Sequence, residues 1–226
     1  NDMPGELAWL DSAIQVEGES ATELYKICVG LWVKFPAEVN RIISAEKLPV
    51  IDPLWNCPVR VRRNDWVTRK NEISRSYLEM FNKANNEIII MSSYFLPGRV
   101  FRKRLARAVK RGVKIKLILA GASDVLVSKQ AERYMYRWLF RNGIEIHEYP
   151  HNILHGKLAV YDAEWVTGGS YNVNNISAYA SIELNLDIKD SHFAKHVCDI
   201  LQEIIQKDCI RITEDQYKFS YNFLER

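Results

Sequence analysis

Apolar and polar positions change their period several times along the chain, and each change marks an element. From residue 87 a regular rhythm sets in. "EIIIMSSYF" predicts a buried strand, and "RVFRKRLARAVKRG" predicts a helix closed by Gly112. "VKIKLILAG" predicts a strand, "SKQAERYMYRWLFRNG" a helix closed by Gly143, and "IEIHEY" another strand. The spacing then tightens. "KLAVYD", "WVTGGS" and "SIELNLDI" (181–188) predict three strands in quick succession, and "SHFAKHVCDILQEIIQKD" (191–208) a long helix. Upstream, "VRVRR" alternates as a strand does and residues 69–86 suit a helix. "SAEKLPVIDPLWNCP" (44–58) holds three prolines and predicts a linker. Before it, "AIQVE" (13–17) predicts a short strand. "SATELYKICVGLWVKF" (20–35) predicts a helix capped by Ser20, with Glu23 at the capping-box position. Helices alternating with apolar strands, then clustered strands, imply an α/β domain whose mixed β-sheet is flanked by helices.

Composition narrows the class. With 47% hydrophobic and 26% charged residues in 226, the chain is long enough for one large domain or a domain with an appendage. Cys28, Cys57, Cys198 and Cys209 show no CxxC pairing, which argues against a zinc knuckle or a disulfide framework and fits a reducing compartment. No apolar run approaches the roughly 20 residues that span a bilayer, so we expect any membrane contact to be peripheral. The net charge of +3 is uneven: residues 1–57 hold nine acids against four bases, leaving +8 on residues 58–226. The basic part is the one expected to meet a phosphate-bearing partner. The first residue is Asn1 and the first methionine Met3, from which we expect a processed chain or a piece of something longer.

The chemistry concentrates in "HGKLAVYD" (155–162) and "GSYN" (169–172). On an extended chain His155 and Lys157 share a face, as do Ser170 and Asn172, while Gly168 and Gly169 permit close backbone approach. An imidazole, an ammonium, a hydroxyl and a carboxamide on one surface suit a phosphodiester: the donors neutralise the phosphate oxygens while the imidazole attacks phosphorus or carries a proton. Glu183, on the following strand, is placed to accept the other imidazole N–H. Asp162 has the opposite parity and is expected to brace the fold from behind.

Taken together, "HGKLAVYDAEWVTGGSYN" resembles the HxKxxxxDxxxxxxGSxN signature of the phospholipase D superfamily, with every fixed position matched. "SSYFLPGRVFRKRLARAVKRGVKIKLILAG", "RNGIEIHEYPHNILHGK" and "SIELNLDI" resemble its bacterial cardiolipin synthase branch, so the likeness covers roughly residues 58–210. It implies a phospholipase D-like half-domain, a covalent phosphohistidine, and neither metal nor cofactor. On this sequence His155 becomes nucleophile or general acid/base. Lys157 and Asn172 hold phosphate oxygens, Ser170 supports them, Glu183 orients a histidine, and Asp162 is structural or electrostatic. The implied activity is phosphatidyl transfer between phospholipids, with phosphatidylglycerol the expected donor. The implied setting is peripheral, on the cytoplasmic side of a bacterial membrane. The alternatives are a phospholipase D or nuclease-type phosphodiesterase working as a homodimer, and a non-catalytic phosphate- or lipid-binding module.

The superfamily's site uses two such motifs, and this chain has one: His147, His151, His192 and His196 lack a lysine two residues on. The missing half comes from a second copy or from a preceding half-domain. "ELAWLDSAIQVEGESATELYKICVGLW" resembles the segment after the first motif of cardiolipin synthases, which favours the latter. The expected organisation is a remnant of the preceding half-domain at 1–45, a linker at 46–57 and the catalytic half-domain at 58–226.

Three further features have less pointed readings. His147, His151 and His155 are four apart, but Pro150 breaks the helix that a zinc site on that spacing would need. Residues 99–116 carry nine bases and no acid. Such a run is by default a solvated helix face, and alternatively a landing site for anionic lipid headgroups, or for nucleic acid. "RYMYRWLF" (133–140) is expected to pack in the core. Tyr94 and Phe95, and the loop at 121–124, are candidates for the rim of a substrate site.

Overall fold

The computed structural model describes residues 9–32, 57–122 and 126–217. Its strands are β1 (Val59–Asp65), β2 (Lys70–Asn71), β3 (Glu87–Ser92), β4 (Lys114–Ala120), β5 (Glu145–Tyr149), β6 (Leu158–Tyr161), β7 (Trp165–Gly169), β8 (Ile182–Ile188) and β9 (Ile210–Ile212). They form one sheet in the order β2-β1-β8-β7-β6-β3-β4-β5-β9. The described helices of these segments are α1 (Glu19–Trp32), α2 (Glu72–Lys83), α3 (Arg99–Lys110), α4 (Leu126–Arg141), α5 (Asn175–Tyr179) and α6 (Ser191–Lys207). β3, β4 and β5 run parallel, joined by α3 and α4; the remaining pairings are antiparallel. The mixed α/β sheet expected from the pattern is therefore the fold.

Period-two alternation divides the core between the two faces of the sheet. Ile88 and Ile90 of β3 join Leu117, Leu119, Ile146 and Ala159 under Tyr77 and Phe81 of α2, Leu105 and Ala108 of α3, and Tyr136 and Leu139 of α4. Ile89 and Met91 point the other way and meet Ile118, Val160, Val166 and the stripe Ala194, Val197, Leu201 of α6. Each large aliphatic residue buried this way contributes about 1.5–3 kcal/mol. The Asp190 carboxylate starts α6 by accepting the Phe193 N–H at 2.7 Å.

Three expectations are corrected. Residues 13–17 form no strand: Leu10 makes a single bridge to Leu154, and the segment lies over the α6 face of the sheet rather than along an edge, with Ile14 against Gly168. Ser20 does not cap α1, which begins at Glu19. The helix expected over 69–86 is shortened to α2 because Asp65 Oδ1 accepts the N–H groups of Val67 and Thr68, closing a turn that folds Lys70–Asn71 back onto β1 as β2. β9 and the short α5 are too brief to carry a readable periodicity, and the sequence pattern does not disclose them. Most of the linker expected at 46–57, like residues 33–45, lies outside the described residues.

Candidate active site

Strand registers bring the motif residues to one end of the sheet. Leu158 opposes Met91 at the C-terminal end of β3 and Gly168 near the end of β7. Gly169 opposes Asn185 in β8, and Glu183 opposes Asn64 in β1. His155 and Lys157 just before β6, Ser170 and Asn172 just after β7, and Glu183 early in β8 therefore share this end. The close fit needs glycine: a Cβ on Gly169 would stand 2.1 Å from the Leu184 carbonyl oxygen.

His155 is held from a direction that the motif spacing does not disclose. The backbone N–H groups of His155 and Gly156 both donate to the Leu10 carbonyl, at 2.7 and 3.0 Å. The next residue, Asp11, places Oδ2 2.9 Å from His155 Nδ1. The Trp9 ring lies 5.4 Å from the imidazole, centroid to centroid. Partial burial pushes the Asp11 carboxyl up. The hydrogen bonds from His155 and from the Ser12 N–H, with the positive charges of His155 and Lys157, outweigh that and leave its pKa below the usual carboxylate value. A carboxylate at Nδ1 selects the Nδ1–H form of the neutral ring and leaves the lone pair on Nε2. Asp11 is thus the residue that sequence reasoning missed as a site group. Its sequence signal is the Trp9-x-Asp11 spacing inside the segment that resembles the one after the first motif of cardiolipin synthases.

The expected pairing of Glu183 with this imidazole is corrected. Glu183 Oε2 accepts from Ser170 Oγ, its Oε1 accepts from Ser181 Oγ at 2.8 Å, and Ser170 Oγ also accepts the Leu184 N–H at 3.0 Å. Glu183 and Ser170 form one anchored unit on β8 and the end of β7, and Asp11 is the partner of His155. Lys157 is only 6% exposed, and its Nζ donates to the His155 carbonyl at 2.5 Å, tying the ammonium to the backbone of the histidine. Asn172 Oδ1 is buried without a hydrogen-bond partner among the described residues, while its backbone N–H donates to Ser177 Oγ. Behind them Asn185, 1% exposed, accepts the Tyr171 N–H at 3.2 Å and so fixes the turn between Ser170 and Asn172.

Asp162 lies at the opposite end of β6 from His155. Its backbone is left-handed (φ 51°), and its carboxylate accepts the N–H groups of Asn85, Asn86 and Glu87 at 2.7–2.9 Å. It clamps the entry to β3. Tyr94 follows β3 at the site's end of the sheet and is half-buried. Phe95 is fully buried, its N–H donating to Glu132 at 2.9 Å, so it belongs to the core. The "RYMYRWLF" helix divides: Tyr136 and Leu139 are buried, while Tyr134 is 72% exposed. His147 is buried in β5, and among the described residues no group of three His, Cys, Asp or Glu side chains is placed to hold a metal.

The family described as "Cardiolipin synthase, PLD-like domain" matches residues 77–205, which include β3 to β8 and every motif residue. The chain belongs to this family. Cardiolipin synthase B of Escherichia coli strain K12 is 39% identical over 145 residues, 64% of this chain and 35% of that protein. Cardiolipin synthase A of Buchnera aphidicola is 26% identical over 203 residues, 87% of this chain and 41% of that protein. This cardiolipin synthase-like chain thus spans well under half the length of these curated relatives. Among solved structures, the phospholipase D family member Nuc of Salmonella typhimurium superposes with a TM-score of 0.60 at 19% identity, covering 70% of this chain and all of Nuc. Phosphatidylserine synthase of Haemophilus influenzae superposes at 0.58 and 12% identity, over 84% of this chain and 51% of that one. These likenesses show that the phospholipase D fold is shared.

Proposed function

We propose that this chain supplies one half of a phosphatidyltransferase site of the cardiolipin synthase type. The observation that carries the reading is the His155–Asp11 pair, with Lys157 tied to the same turn and Ser170, Asn172 and Glu183 at the same end of the sheet. His155 Nε2 attacks the phosphorus of a phospholipid diester. A P–N bond forms, the P–O bond to the departing glycerol breaks, and a histidine from the complementary motif protonates the leaving oxygen. That histidine then takes the proton of the incoming alcohol, whose oxygen attacks phosphorus, breaks the P–N bond and restores His155. Lys157 and Asn172 neutralise phosphate oxygens in both steps. Phosphatidylglycerol is the proposed donor and a second phospholipid hydroxyl the acceptor. Glu183, held by Ser170 and Ser181, is assigned to orient the complementary histidine.

The complementary motif comes from a half-domain preceding this one, with residues 1–45 its tail. The docking of Trp9, Leu10 and Asp11 onto the His155 turn supports this, since that segment contributes a side chain to the site. The test is headgroup transfer from phosphatidylglycerol by this chain joined to, or mixed with, a half carrying a second HxKxxxxD motif, followed by acid-labile phosphate labelling. Transfer and labelling that both vanish with His155→Ala are expected. Cleavage of single-stranded DNA by the chain alone, without lipid transfer, would replace this reading with that of a homodimeric phosphodiesterase. Lipid binding without a trapped phosphohistidine would replace it with a binding module.

A further inference from the structure

Arg99, Lys103, Arg107 and Lys110 follow one another at helical spacing along α3, and all four are exposed. Among the described residues no carboxylate pairs with any of them. On α2 and α6, by contrast, three exposed lysines are matched within their own helix: Lys83 with Glu79, Lys195 with Asp199, Lys207 with Glu203. The stripe borders an open cleft of about 660 Å³ lined by Arg99, Val100, Lys103, Ala106, Arg107 and Trp138. Val100 is 57% exposed, and α4 adds the exposed Arg137 and Arg141. The surface therefore joins unpaired positive charge to apolar and indole groups, a combination suited to the boundary between headgroups and acyl chains.

Its position relative to the catalytic residues is fixed by backbone contacts. The Leu96 N–H donates to the Val173 carbonyl, next to Asn172, at 2.8 Å, and Gly98 lies against the Asn175 side chain. The stripe thus begins beside the phosphate-binding turn. α5, which starts at Asn175, exposes Ile176 and Tyr179. Residues 10–14, which dock on the His155 turn, lie over the α6 face, whereas α3 packs on the other face of the sheet. A complementary half entering with that segment leaves α3 uncovered. Among the described residues no helix is long and apolar enough to cross a membrane.

We propose that the outer face of α3 is a docking surface for an anionic lipid bilayer, holding the His155 end of the sheet against the headgroups. The proposal rests on the reading of that site as acting on phospholipid. Each basic residue close to an anionic surface strengthens partitioning about fivefold at low salt, so three together contribute about a hundredfold.

The experiment is co-sedimentation of the full chain with vesicles of phosphatidylcholine, with and without phosphatidylglycerol, over a salt series. The test variant is Arg99→Gln/Lys103→Gln/Arg107→Gln. Its positions are exposed, and an unchanged melting curve verifies the fold. A Lys195→Gln/Lys207→Gln control removes charge from α6. Expected is salt-sensitive binding to phosphatidylglycerol vesicles that drops about a hundredfold in the α3 variant and stays within about twofold in the control. Equal binding by wild type and α3 variant, or an equal loss in the control, overturns the proposal. So does an α3 variant that loses a single-stranded oligonucleotide but keeps the vesicles. Turnover of a water-soluble short-chain phospholipid by the chain complemented with a half carrying a second HxKxxxxD motif separates this from the catalytic reading. Absent turnover with α3-dependent vesicle binding removes that reading and keeps the docking surface; turnover with α3-independent binding removes the docking surface alone.

Discussion

The Asp11→Asn substitution tests the contact on which the site's chemistry turns. Asp11 Oδ2 and His155 Nδ1 are 2.9 Å apart, with side chains 54% and 43% exposed. A hydrogen bond to a charged group is worth about 1.5–3 kcal/mol, and exposure on this scale reduces it to about 1–1.5 kcal/mol. That bias favours the Nδ1–H form of the neutral ring about tenfold. The asparagine amide presents either a donor or an acceptor to Nδ1, so the preference disappears and a large share of the rings carries the proton on Nε2, unable to attack. Lost orientation adds to this, and the expected fall in kcat is about 10–100-fold with less than about 1 kcal/mol lost in stability. The tautomer is measured by ¹⁵N NMR of the labelled imidazole, and kcat by single-turnover transfer in the complemented assembly. The low Asp11 pKa means that the carboxylate is charged and the pairing present above about pH 4, and that the pairing is lost as pH falls through the folded-state value, so wild type and variant are compared well above that range. A predominantly Nε2–H ring in the wild type, or an Asp11→Asn protein with unchanged tautomer and kcat, would refute the reasoning.

Other outcomes follow from the same geometry. Asp162→Ala orphans three N–H groups at the entry to β3 and should cost about 2–3 kcal/mol, seen as a lower urea midpoint; an unchanged midpoint would mean that water replaces the clamp. Gly169→Ala sets a methyl group 2.1 Å from the Leu184 oxygen, forcing β7 from β8, and should lower the melting temperature and abolish transfer together. Asp65 is desolvated, which raises its pKa, but the Thr68 hydrogen bonds and Arg63 lower it further and hold it below the ordinary value. A depressed folded pKa contributes stability above the unfolded pKa of about 3.9 and loses it as pH falls through the folded value. Urea midpoints at pH 6 and pH 3 should therefore fall farther in the wild type than in Asp65→Asn.

Local order and the grouping of the motif residues were legible in the chain. Ile88, Ile89, Ile90 and Met91 read as a buried strand, which is β3, and the spacing of His155-x-Lys157 and Gly169-Ser170-x-Asn172 picks out residues that the fold brings to one end of the sheet, because these patterns depend on spacing within a few residues. Partners brought from a distance were not. Glu183 lies closer to His155 in sequence than Asp11 does, yet β8 delivers it to Ser170 and Ser181, while a segment 144 residues away crosses the sheet to reach the imidazole. Asp162 carries the same motif letter whether it faces the phosphate or clamps residues 85–87; the register of β6 on β3 sends it to the far end. The basic run on α3 has one composition whether it is salt-bridged or bare, and only packing shows that its charges stand unmatched on the side away from residues 10–14. Hydrogen bonding and charge pairing act over a few ångströms, and which groups come that close is set by strand order and register, which no stretch of sequence carries within itself.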